Sequence, residues 1–183
     1  MIENSNFLST VCANMRNYGL TVSDRVTLPS GPVVDYFGSR TYFSWKGFVI
    51  LSQHVAVRDY ADMRATPMDA EALFEASFRQ AKKVNRVPLL RGMQFGFMVI
   101  PCLIVANADQ ALVEYAERRP PKHFSLFQFP VVVDRSTGKT HYYKQTALWG
   151  AFFFSDMREV VERCIVAAES PSSAQDAASP RHL

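Results

Sequence analysis

Along residues 5 to 18 the apolar positions Phe7, Leu8, Val11, Cys12, Met15 and Tyr18 recur at helical spacing, and Gly19 follows as a left-handed stop. From 24 to 55 the rhythm changes. "RVTL" leads into the turn signal "PSGP", and "VVDYF", "RTYFSW" and "FVILSQHV" follow, punctuated at Gly38 and at Lys46-Gly47. This predicts a meander of three or four strands. Thr66-Pro67-Met68-Asp69 then opens a helix with a hydroxyl cap, a proline at the first helical position and an acid in the first turn. Ala70, Leu73, Phe74, Ser77, Phe78, Ala81 and Val84 form its stripe, and Pro88 ends it.

Residues 95 to 106 are apolar on both faces, as in a buried strand, and Pro101 is expected at a bulge or an edge. Asn107 is expected to cap a short helix around Ala111, Leu112 and Tyr115, stopped by "RRPP". "FSLFQFPVVVD" reads as one further apolar strand, which makes strand, helix and strand a βαβ unit with a parallel pair. A last helix is expected from about Asp156 to Glu169, with Met157, Val160, Val161, Cys164, Ile165 and Ala168 inside. The fold class is α/β, with α+β as the alternative: one domain over residues 1–168, a mixed sheet with an N-terminal antiparallel meander, a βαβ unit and a C-terminal hairpin plus helix. Residues 169–183, "ESPSSAQDAASPRHL", cannot bury apolar surface and are expected to form a disordered tail.

Composition narrows the function classes only a little. The 183 residues are 48% hydrophobic, and 20 Lys plus Arg against 17 Asp plus Glu leave a charge of +3, too mild to imply a polyanion partner by itself. Cys12, Cys102 and Cys164 are odd in number, far apart and in apolar stretches, so the expectation is a reducing compartment without disulfides. "MIENSNFLST" has no secretory pattern, and the longest apolar run, "FMVIPCLIVA", is about half of a bilayer span. A cytoplasmic protein without a membrane partner is therefore expected.

The stretch "DRSTGKT" (134–140) ends in the letters of a phosphate-binding P-loop. The second glycine such a loop needs would fall at Val133, and "KTHYYKQ" continues as a strand rather than a helix. The stretch is a hairpin turn with Gly138 at a positive φ. No glycine-flanked serine elbow and no dinucleotide fingerprint occur, and His54, His123, His141 and His182 share no metal-ligand spacing. No catalytic or metal-binding residue emerges directly, no cofactor is expected, and the balance leans away from an enzyme. Cys102, inside an apolar strand, reads as a small core hydrophobe.

Asp35 in "PVVDYF" and "SWK" (Ser44 to Lys46) form a carboxylate–lysine arrangement in the meander. With a helix before, strands, a helix and a strand after, the order over residues 5 to 105 is similar to the restriction-endonuclease-like fold of the PD-(D/E)XK nucleases. That resemblance implies Asp35 as a ligand for Mg²⁺ or Mn²⁺ and Lys46 as the lysine that activates water, on adjacent strands. Ser44 stands where the family has its second carboxylate. The plainer reading of "WKG" is a turn.

Two basic segments bear on nucleic acid. Arg79, Lys82, Lys83, Arg86 and Arg91 close one helix, and Arg118, Arg119, Lys122 and His123 follow another. Basic residues also gather at helix C-termini simply to suit the dipole, and that simpler account is preferred. Aromatics cluster twice: Tyr42, Phe43, Trp45 and Phe48 in the meander, and Trp149, Phe152, Phe153 and Phe154 before the last helix. Four bulky positions around "GAFFF" are expected to leave some rings for another subunit. The resulting expectation is a non-catalytic cytosolic binding or regulatory module that forms a homo-oligomer through Trp149, Phe152, Phe153 and Phe154. The alternative is a degenerate PD-(D/E)XK-like nuclease or nucleic-acid-binding protein.

Overall fold

The structure is a computed structural model that describes residues 4–169, apart from 30, 46–47, 62, 86, 88–94, 122–125 and 146–150. It is α/β: among the described residues, four helices and one open, mixed sheet of seven strands. Helix α1 (Asn4–Asn17) leads into strands β1 (Thr21–Thr27), β2 (Val33–Ser44) and β3 (Val49–Asp59), then α2 (Pro67–Val84) and β4 (Phe95–Val105). Helix α3 (Gln110–Glu117), β5 (Leu126–Gln128), β6 (Val131–Asp134), β7 (Lys139–His141) and α4 (Ala151–Cys164) complete the chain, and a short 3-10 turn (Val166–Ala168) follows α4.

The strand order is β1-β2-β3-β4-β6-β7, with β5 also paired to β4. The meander β1-β2-β3 is antiparallel, β4 is parallel to β3, β5 and β6, and β7 returns antiparallel to β6. Alternation of side chains along the strands gives two cores. On one face Phe7, Val11 and Met15 of α1 and Phe154, Met157 and Val161 of α4 meet Val55, Met98 and Ile100. On the other, α2 and α3 cover Phe37, Ala56, Leu103 and Val132, and the last turns of α2 cover Phe95 and Phe97.

Local signals set the helix ends. Gly19 takes a φ of 91°, and Leu20 donates back to the Met15 carbonyl, closing α1. Thr66 and Asp69 form a reciprocal capping box on α2. Gly138, at φ 67°, turns the β6–β7 hairpin.

Several expectations change. Gly38 does not break a strand: β2 runs straight through it, and a Cβ there would lie 2.5 Å from the Met15 Cε of α1. Its role is to let the helix approach the sheet. Pro101 lies in the central strand rather than at an edge. It sits beside the interruption between β5 and β6, which removes a ladder partner where proline has no N–H to offer. "FSLFQFPVVVD" is accordingly two strands, parted at Phe129-Pro130. The cap of α3 is Asp109, whose carboxylate accepts from the Leu112 N–H, and not Asn107. Val84, placed in the buried stripe of α2, is exposed. The last helix begins at Ala151, so "AFFF" is helical and Phe154 belongs to the core. Residues 170–183 lie outside the described residues.

Candidate functional site

The longest hairpin of the fold, β2–β3, carries apolar residues to its tip. Phe43 is paired across the ladder with Ile50, and it is 44% exposed. Trp45 and Phe48 flank the turn and are 74% and 70% exposed. The three rings meet edge to face: centroids are 4.8 Å apart for Phe43–Trp45, 6.0 Å for Trp45–Phe48 and 6.3 Å for Phe43–Phe48. Such pairs fix ring orientation, each covering one face of one ring with the edge of another and leaving the other faces uncovered by that contact. A cluster of large rings this open is what a contact surface requires and what a surface without a partner avoids.

The sheet positions the cluster. β1 pairs with β2 only from Val33 to Ser39, so the half of β2 nearer the tip has β3 on one side and no strand on the other among the described residues. Phe43 lies on the face that α2 covers further along. The last turns of α2 place Phe78 and Ala81 against Phe95 and Phe97, with Ile50 packed beside them. Lys82 ends this helix with its ammonium 4.8 Å from the Phe78 ring centre, and Lys83 is exposed next to it.

The residues singled out from sequence are only partly brought together. Asp35 and Ser44 sit on one strand, β2, nine residues and roughly 30 Å apart at ~3.3 Å per residue. They do not come from adjacent strands as the nuclease resemblance implies. Lys46 lies outside the described residues. The Asp35 carboxylate accepts from the Asp59 N–H at 2.7 Å. Asp59 in turn accepts from Ala61 N–H at 2.7 Å and lies 3.4 Å from Arg135. Among the described residues, no three His, Cys, Asp or Glu side chains converge as a metal site would need.

The described members of the two basic segments stay apart. Tyr115 near the end of α3 is hydrogen-bonded to Glu71, which lies 11 residues before Lys82 on α2, about 16 Å along a helix. Arg118 and Arg119, just past α3, are thus nearer the middle of α2 than its end. Arg79 is exposed on α2, while Arg86, Arg91, Lys122 and His123 lie outside the described residues.

Of the aromatic residues expected at a surface around "GAFFF", the two described ones are core or half-buried. Phe154 is fully buried against Phe129 and Tyr143, and Phe153 is half-buried with its ring 4.7 Å from Phe127. The helix turns these rings inward because α4 must cover the sheet. Trp149 and the Phe152 side chain lie outside the described residues.

A Ser–His contact that sequence reasoning missed lies beneath α2. His54 Nε2 is 2.8 Å from Ser52 Oγ, and its ring lies between Phe37 and Phe97 at 5.7 and 6.0 Å. His54 is 1% exposed, and its Nδ1 has no hydrogen-bond partner among the described residues. Burial pushes its pKa down to about 4, so it is neutral in the folded protein near pH 7. Sealed from solvent and without an orienting acid among the described residues, the pair is a feature of the core. Burial likewise pushes the Cys102 thiol up and the Cys164 thiol up to about 12, which keeps both unreactive.

Compared with known proteins, the chain matches no family model, no curated protein and no solved structure.

Proposed function

We propose that the protein is a non-catalytic binding module whose contact surface is the aromatic tip of the β2–β3 hairpin. The observation that supports this is the joint exposure of Phe43, Trp45 and Phe48 in one edge-to-face cluster. Large apolar rings anchor interfaces because they bury much area with few rotamers to freeze. Self-association through an aromatic surface, expected from residues 149–154, moves to this tip. Residues 36–58 contain no acid, so two copies of the tip meeting about a two-fold axis bring no carboxylates together.

The test uses the two tryptophans. In a Trp149→Phe chain the remaining fluorescence comes from Trp45, and acrylamide quenching measures how open the tip is. The expected result is strong quenching in dilute protein, and protection either at high protein concentration or on adding a partner. Trp45 that is equally quenched in concentrated protein and with single-stranded oligonucleotide, anionic vesicles and extended peptides would overturn the proposal.

A further inference from the structure

The chain segregates its charges, and the fold turns that segregation into two ends. No Asp or Glu occurs in residues 36–58 or 76–108. These segments build the hairpin tip, the second half of α2 and the start of β4, which lie together at the end of the sheet where β3 and β4 begin. Five acids lie at the opposite end: Asp35 near the start of β2, Asp59 ending β3, Asp69 in the first turn of α2, Asp109 capping α3 and Asp134 ending β6. At the tip's end Lys82 and Lys83 are exposed, and neither is in an ion pair among the described residues.

Rings and cations therefore share one end. Ile50, the cross-strand partner of Phe43, packs against the cluster that holds Phe78 and Ala81 in the last turns of α2. Phe43, paired with Ile50, is thus the ring of the tip cluster whose strand neighbour packs toward the last turns of α2, where Lys82 lies. Interplanar angles of 80 to 84° set the rings at right angles, and their exposure leaves the faces not used in these contacts open to solvent.

We infer that the partner of the tip is a single-stranded nucleic acid, its bases stacked on Phe43, Trp45 and Phe48 and its phosphates held by Lys82 and Lys83. The inference rests on the tip being the contact surface. Unpaired bases offer flat faces to such rings without regard to sequence, and their phosphates match the exposed Lys82 and Lys83; the acid near the tip, Asp156, is buried on the opposite face of β2, where it accepts from the Tyr42 hydroxyl. A duplex hides its base faces inside the stack. The way from Phe43 through Ile50 to the last turns of α2 crosses the sheet, which suits an extended chain.

The experiment is a fluorescence-anisotropy titration with labelled oligothymidylate, run beside the same-length duplex and vesicles of phosphatidylserine in phosphatidylcholine. The proteins are the parent, Trp45→Ala, Lys82→Gln with Lys83→Gln, and Met68→Ala as a control exposed at the far end of α2. Far-UV circular dichroism and melting check that each is folded. The expected result is binding of the single strand in preference to the duplex, weakened about tenfold by Trp45→Ala and unchanged by Met68→Ala. The lysine pair should flatten the dependence of log K on log salt by about 1.4, close to 0.7 for each phosphate no longer neutralised.

Single-strand binding indifferent to Trp45→Ala, or a duplex bound equally well, overturns the inference. Absence of oligonucleotide binding overturns it too, and Trp45 quenching then separates the two levels. Protection by vesicles or by a second copy keeps the tip as the contact surface with another occupant, whereas Trp45 open under every condition removes both.

Discussion

The two ends of the sheet spend their polar and apolar groups in opposite ways. Where β3, β4 and β6 finish, the side chains satisfy one another. Asp59 accepts from Ala61 N–H and faces Arg135, Arg135 donates to the Ala61 carbonyl at 3.0 Å, and the Asp59 N–H donates to Asp35. Beside them Asp134 accepts from Ser136 N–H and Oγ and from Thr137 N–H. Burial alone would raise the Asp134 carboxyl, yet these donors hold it below the usual carboxylate range. Where β3 and β4 begin, Phe43, Trp45 and Phe48 pack on each other and stay open to solvent, and Lys82 and Lys83 have no acid opposite them among the described residues. An end whose groups are mutually satisfied is architecture. One whose rings and cations remain open is available to a partner.

Substitutions can break or sharpen that contrast, and the largest effect is expected at the satisfied end. Asp59 and Arg135 are 10% and 13% exposed, so Asp59→Ala strands a nearly buried guanidinium and should reduce unfolding free energy by roughly 3 kcal/mol in urea titrations. A loss below about 1 kcal/mol would rank this edge with ordinary surface ion pairs and erase the distinction.

His54 lies between the two ends and titrates against the fold. Its folded pKa of about 4 is below the ordinary 6.5, so the unfolded chain binds the extra proton first. The neutral ring's contribution is fully present above pH 6.5 and is lost as pH falls toward 4, up to about 3 kcal/mol at 1.36 kcal/mol per unit. Urea unfolding across that window should show the decline, and His54→Leu should flatten it. An unchanged slope would show that other groups set the acid response.

Removing the cap with Thr66→Ala, at the satisfied end of α2, should lower stability by about 1 kcal/mol in thermal melts. Smallest of all, Trp45→Ala and Phe48→Ala should each leave unfolding within about 0.5 kcal/mol of the parent. A tip substitution that destabilises as much as removal of the cap would mean that the rings hold the hairpin, and the contrast between the ends would fail.

What can be read from the sequence follows the range of the physics involved. Thr66, Pro67 and Asp69 mark the start of α2 because capping is settled within four residues. Gly138 marks its turn for the same reason. Gly38 misleads because a glycine's local signal is a break, whereas its cause here is the side chain of Met15 on another element. Pro101 misleads because the gap that accommodates it belongs to a strand about thirty residues on. The candidate site is half visible. Phe43, Trp45 and Phe48 stand out as a cluster, but apolar residues read as core until the sheet shows which ones no helix covers. Phe153 and Phe154 look equally open in sequence, and only the start of α4 at Ala151 turns them inward. Asp35 and Ser44 are neighbours only if a hairpin separates them, and the unbroken β2 removes it.

Cys12 sits in α1, Cys102 in the central strand and Cys164 at the end of α4, and all three are free thiols shut away from solvent. The native protein should therefore be silent to a thiol reagent, and each modification should record an opening event. Because the three positions sample an outer helix, the middle of the sheet and the closing helix, the order in which they are labelled gives a chemical chronology of how the layers come apart.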